Sequence, residues 1–133
     1  MNRHVLHGTV EVPLPPKEAL ALFTPAGERA WAPGWDPVYP VEEDTSPGTT
    51  FTTHGGRTFW VIADRTADSM RYARITPGVH AGTVEVRCEP AGDATRAHVT
   101  YDLSGDPATV DHFADDFPAM LAEWQRLIAA SLA

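Results

Sequence analysis

The hydrophobic period of this chain changes once, at Pro107. Before that point apolar and polar side chains alternate in several short stretches. After it, Val110, Phe113, Phe117, Leu121, Trp124 and Ile128 recur at steps of three and four, with Met120 and Leu127 beside the stripe. Alternation is the mark of a half-buried strand, and a period near 3.6 that of an amphipathic helix. The C-terminal segment therefore predicts one long helix of roughly five to seven turns. Pro118 lies inside it and, lacking an amide hydrogen, should remove one backbone hydrogen bond and bend the helix. A set of strands followed by a single long helix has few ways to bury itself. An apolar sheet face needs a cover, and this helix is the only element large enough to supply one.

The strands can be placed from their flanking turns. In "HVLHGTVEV", Leu6, Gly8, Val10 and Val12 share one face and Val5, His7, Thr9 and Glu11 the other. Pro13, Pro15 and Pro16 end that strand, and a short helix is expected from Pro16 to Phe23, since proline is tolerated in a first helical turn. Thr24 followed by Pro25 has the form of an N-cap and first position, restarting a second short helix through "AGERAW". "GTTFTTH" and "RTFWVIAD" meet at Gly55 and Gly56 as a hairpin. "MRYARI" ends at Pro77-Gly78, and "VHAGTVEVRCE" and "ATRAHVTYDLS" flank "PAGD" as a further hairpin. A short piece at Val38 to Val41 is a candidate edge.

Composition narrows the partners. A chain of 133 residues with 43% hydrophobic and 21% charged residues fits one globular domain. Its net charge of −8, with basic residues scattered, disfavours nucleic acid and anionic membrane surfaces. No apolar run is long enough to span a bilayer, and "MNRHVLHGTVEV" does not read as a secretory leader, so a cytoplasmic location is expected. Cys88 stands alone and reads as a small buried hydrophobe.

The chain as a whole resembles the START-related, or SRPBCC, superfamily. The residues that carry the resemblance are "LFTPAGERAWAPGW", "FWVIAD", "RYARITPG", "AGTVEVRCEPAGDATRAHVTYDL" and "FPAMLAEWQRLI". The pattern "LFTPxGExxWxPGW" in particular resembles uncharacterised bacterial members. The resemblance implies a single START-like domain over residues 1–133 in the α+β class. Its form is the helix-grip fold: a curved antiparallel sheet of about six or seven strands wrapped around the long C-terminal helix, with two short helices after the first strand. It also implies a cavity between sheet and helix, while leaving chemistry open, because relatives include lipid-transfer domains, polyketide cyclases and dehydrases, pollen-allergen and hormone-receptor proteins, and a heat-shock ATPase activator.

Given such a cavity, alternation nominates its lining. From the sheet come Val10, Val12, Trp60, Ile62, Met70, Tyr72, Arg74, His80, Val84, Val86, Ala97, Val99 and Tyr101; from the helix come Phe113, Phe117, Met120, Leu121 and Trp124. Plain core packing is the competing reading for each aliphatic member. Arg74 is the most informative, because a buried guanidinium demands an acid, a carbonyl or a ligand anion; Asp64 and Glu28 are candidate internal partners. Tyr72 and Tyr101 offer hydroxyls. Trp31 and Trp35 fall in a proline-rich connection that embraces the cavity mouth in helix-grip proteins. One or more of Trp31, Trp35 and Trp60 should line a cavity of roughly 300–1,000 Å³, the usual range for small-ligand sites. The candidate ligand-binding set is therefore Trp31, Trp35, Trp60, Tyr72, Arg74, His80, Tyr101, Phe113, Phe117, Met120 and Trp124.

No metal or cofactor is expected. His4 and His7 point to opposite faces of one strand, and neither an HExxH pattern nor a cysteine pair occurs. Asp111, Asp115 and Asp116 read as a solvated helix face, His54 as a residue of a flexible glycine turn, and no nucleophile elbow is present. Three functions remain. The leading one is binding of a small hydrophobic or aromatic molecule. The others are a cyclase or dehydrase using His80, Arg74 or Tyr72 to move a proton, and a protein-interaction module like the heat-shock ATPase activator. A homodimer is left open.

Overall fold

A computed structural model describes all residues from Met1 to Ala133. Its strands are β1 (Asn2–Val12), β2 (Thr50–Thr53), β3 (Thr58–Arg65), β4 (Ser69–Thr76), β5 (His80–Ala91) and β6 (Ala94–Gly105). The helices are α1 (Pro16–Ala21), α2 (Pro25–Glu28) and α3 (Pro107–Ser131). Every strand pairing is antiparallel, in the order β1-β6-β5-β4-β3-β2. This is the α+β helix-grip architecture, with six strands. Val38 adds only an isolated bridge to Thr52 rather than a further strand.

Sheet order explains the loop between α2 and β2. β1 and β2 are consecutive strands but lie on opposite edges. The chain must therefore cross one face of the sheet between them, and it does so through α1, α2 and the proline-rich segment that carries Trp31 and Trp35. Both short helices start as the sequence requires. Pro16 and Pro25 occupy first turns, and the Thr24 hydroxyl accepts the Gly27 amide at 3.0 Å.

The long helix is fixed over one half of the sheet. α3 packs on β1 and β6, whereas α1 packs on β5 and β6. Gly8 permits the approach, since a Cβ there would lie 2.4 Å from a Leu121 methyl. Val110, Phe117, Leu121 and Ile128 are buried, and Phe113 and Trp124 are half-buried. α3 runs unbroken from Pro107 to Ser131, so Pro118, exposed on its outer side, does not divide it.

The sheet's inner face is continuous. Val10, Val12, Ile62, Met70, Val84, Val86, Ala97, Val99 and Leu103 all belong to one core cluster. Cys88 joins them, and burial pushes its thiol up to about 11, the behaviour of an inert hydrophobe. No helix is long and apolar enough to cross a membrane.

Candidate functional site

With α3 seated over β1 and β6, the inner face of β2 to β4 must be covered by the crossing segment. Two tryptophans do this, and their ring nitrogens are committed to backbone. Trp31 Nε1 donates to the Leu22 carbonyl and Trp35 Nε1 to the Pro25 carbonyl, both at 2.8 Å. These bonds tie the loop back onto the α1–α2 corner. Trp31 then meets Trp124 of α3 edge-on, with ring centroids 5.7 Å apart, and Trp35 meets Trp60 at 5.8 Å. Phe51 stacks on Trp60 at 5.6 Å with an interplanar angle of 6°.

These rings leave a partly enclosed cavity of about 160 Å³. Of the residues expected to line it, Trp31, Trp35, Trp60, Tyr72, Arg74, Tyr101 and Trp124 do so. Phe23, Glu28, Ala32, Phe51, His54, Val84 and Val86 complete the wall. The volume falls below the usual small-ligand range because four indoles project into the space together.

Four members of the candidate ligand-binding set, Phe113, Phe117, Met120 and His80, lie elsewhere. Phe113 and Met120 border a shallow groove on the outside of α3, and Phe117 packs with Gly8 and Leu121. The helical period had identified their inward face, but that face meets β1 and β6, where Phe113 and Phe117 pack behind Tyr101 rather than lining the cavity themselves. His80 sits one row beyond Arg74, at the sheet's end, in a separate groove with Thr76 and Asp106. Its ring nitrogens are buried without partners. Burial, then the charge of Arg74 and the nearness of His54, hold its pKa below the ordinary histidine value.

Five lining residues were outside the nominated wall. Glu28 and Ala32 could have been found from helical spacing, because Trp31 and Ala32 continue the turn begun at Glu28, their amides bonding to its carbonyl. Phe51 follows from its pairing with Trp60 in the β2–β3 ladder. Phe23 and His54 carried no such signal. His54 enters through backbone geometry: it holds φ 56° at the start of the β2–β3 turn, and its ring is fixed by Thr53 Oγ1 at 3.0 Å. That hydroxyl also accepts from Trp60 Nε1 at 2.9 Å.

The polar groups divide into committed and free. Tyr72 donates its hydroxyl to the Phe23 carbonyl at 2.7 Å. Arg74 is different. None of the protein's ion pairs includes it, so neither Asp64 nor Glu28 neutralises it. Asp64 is exposed and bonds the adjacent Arg65 amide instead. The Arg74 guanidinium carbon lies 4.7 Å above the Trp60 ring, and its buried Nε has no partner. Burial pulls its pKa below the usual guanidinium value, against the neighbouring Tyr101 hydroxyl, which raises it. The same Tyr101 phenol is held well above its ordinary range by burial.

Glu28 is half-buried as a residue and lines the cavity among the aromatic rings. Burial alone pushes its pKa well above the usual carboxylate range. This has a measurable consequence. A folded-state pKa above the unfolded value of about 4.3 means that folding favours the protonated acid. Stability from this group is full below the unfolded pKa and is lost as pH rises toward the folded one. Glu28→Gln, a neutral mimic, is expected to unfold at a higher temperature than wild type at pH 8, with the gap closing as pH falls toward 4. Equal midpoints across that range would show that the carboxyl is solvated.

The family model described as "Polyketide cyclase / dehydrase and lipid transport" matches residues 3–133. The chain belongs to that family. Solved structures agree on its SRPBCC-type fold. The Mll3558 protein from Rhizobium loti superposes with a TM-score of 0.69 at 18% identity, covering 96% of each chain. An HSP90 activator from Plasmodium falciparum, PFC0360w, gives 0.65 at 14% identity over 96% of this chain and 92% of its own. DynU16, a protein in the dynemicin biosynthetic locus, gives 0.65 at 16% identity over 92% of this chain and 46% of its own. At such identities the likeness shows the fold alone. No protein of curated function matches the sequence.

Proposed function

We propose that this protein binds a small apolar or aromatic molecule, of about one ring in size, in the cavity beneath Trp31 and Trp35. The observation that carries this reading is a 160 Å³ void walled largely by aromatic rings, of which Trp31, Trp35, Trp60 and Tyr72 already have their polar atoms bonded to the protein. A cavity of about 150 Å³ lined by apolar side chains is known to stay dry and to accept benzene. Leaving such a space empty forfeits dispersion contacts that a ring-shaped guest restores.

Toluene is a suitable probe. Added at about 100 times its dissociation constant, a ligand specific to the folded state raises stability by about 2.7 kcal/mol. Toluene is thus expected to raise the unfolding midpoint and to change tryptophan emission saturably. Absence of both effects, with indole and benzyl alcohol equally inert, would remove the reading.

A second reading draws on Glu28. A carboxyl whose pKa is raised by an apolar pocket is suited to act as a general acid, the step a cyclase or dehydrase requires. A surface-interaction role would instead rest on Val38, Val41, Phe59 and Ile75, apolar side chains exposed on the protein surface.

A further inference from the structure

We propose that the preferred ligand is a small aromatic monoanion, a ring bearing one carboxylate, with the carboxylate seated on Arg74 beside the Tyr101 hydroxyl. This rests on the binding reading above and adds the chemical class of the ligand.

The first argument is the unmet demand of Arg74. A guanidinium presents five N–H donors and remains charged in proteins. Here it is drawn into an aromatic cavity, takes part in no ion pair, and leaves its buried Nε without an acceptor. The face of Trp60 at 4.7 Å offsets part of the lost hydration by a cation–π contact. That contact supplies no lone pair to the N–H groups, whereas a carboxylate can accept two of them side by side.

Charge balance gives the second argument. The one acid in the wall, Glu28, forms no ion pair with Arg74. Burial raises its carboxyl pKa, which favours the neutral acid over a counter-ion role. The cavity thus carries one uncompensated positive charge, and a single anionic group neutralises it. A second carboxylate on the ligand would meet Glu28 and Tyr101 without a further cation. Glu28 suits a hydroxyl, since a neutral carboxyl both donates and accepts.

Size is the third argument. A volume of 160 Å³ accommodates one ring with a carboxylate, which excludes a lipid chain or a fused polycyclic guest as the resident ligand. The opposing effect is global. With a net charge of −8 the surface repels anions, but at physiological ionic strength this is screened beyond about 8 Å. Any preference for an anion therefore reports the local guanidinium.

The test compares benzoate with benzyl alcohol, its neutral near-isostere, by tryptophan emission and calorimetry at pH 7.5. Wild type is expected to bind benzoate about tenfold or more tightly than the alcohol, the scale of one charge-assisted hydrogen bond. Arg74→Gln should abolish or invert that preference while still taking benzyl alcohol, and Arg74→Lys should keep its sign. Equal binding of both compounds by wild type, or an undiminished benzoate preference in Arg74→Gln, would overturn the anion assignment and leave the binding reading standing. If neither compound nor toluene binds wild type, both readings fall. Should Arg74→Gln not fold, the wild-type preference and Arg74→Lys still decide the matter.

Discussion

Phe117→Ala is expected to cost about 3–5 kcal/mol of folding stability, the range for truncating a buried Phe. The ring is 4% exposed and lies edge-on to Tyr101, with centroids 5.5 Å apart, and 6.2 Å from Phe113. Beneath it is Gly8, whose absent Cβ would come within 3.5 Å of the ring. β1 has thus been hollowed to receive this side chain and Leu121. Neither the Gly8 backbone nor the paired strand β6 can move in to refill the space, because both are held by the β1–β6 ladder. A domain of this kind has roughly 5–15 kcal/mol in total, so the loss is a large share of it. Denaturant unfolding should show a lower midpoint at an unchanged slope. An unaltered midpoint would mean that α3 is not held over β1 and β6 in solution.

Toluene binding by Phe117→Ala, if the variant folds, bears on the same geometry. Phe117 does not itself line the cavity and reaches its wall only through Tyr101, so the loss should fall mainly on stability, with toluene still bound.

The sequence made the fold legible because each element announces itself locally. Alternation in "HVLHGTVEV", the Thr24-Pro25 cap and the stripe from Val110 to Ile128 all survive into the structure unchanged. The cavity wall was legible only where the inward face of a strand coincides with the inward face of the cavity. That holds for Trp60, Tyr72, Arg74 and Tyr101. It fails for Phe113, Phe117 and Met120, because a helical period fixes which face of α3 turns inward but not which strands it covers. Its lateral position depends on Gly8, whose meaning appears only when Leu121 is seen above it. The cavity's size was likewise out of reach, being set by how four indoles share one space.

Local rules can also point the wrong way, and Gly27 is the case with the largest expected effect after Phe117. It lies in α2 with no positive φ, so helix propensity alone favours Gly27→Ala by about 1 kcal/mol. Packing reverses the sign. A Cβ at Gly27 would sit 1.8 Å from the Ala21 carbonyl oxygen and 2.9 Å from Thr24 Oγ1. The obstacle is backbone, so no rotamer change relieves it, and α1 and α2 must separate. Separation breaks the corner at its hinge, where Thr24 Oγ1 donates to the Ala21 carbonyl at 2.7 Å and accepts from the Gly27 amide at 3.0 Å. It also moves Leu22 and Pro25, whose carbonyls anchor Trp31 and Trp35. Overpacking of this kind typically costs about 1–3 kcal/mol, and a clash with fixed backbone belongs at or above the upper end. Gly27→Ala is therefore expected to lower the unfolding midpoint and to abolish the toluene-induced change in tryptophan emission together. The pairing is informative because Glu28 and Trp31 follow directly on the displaced turn. A variant more stable than wild type would show that propensity governs here, and that the α1–α2 corner does not close as tightly as the cavity requires.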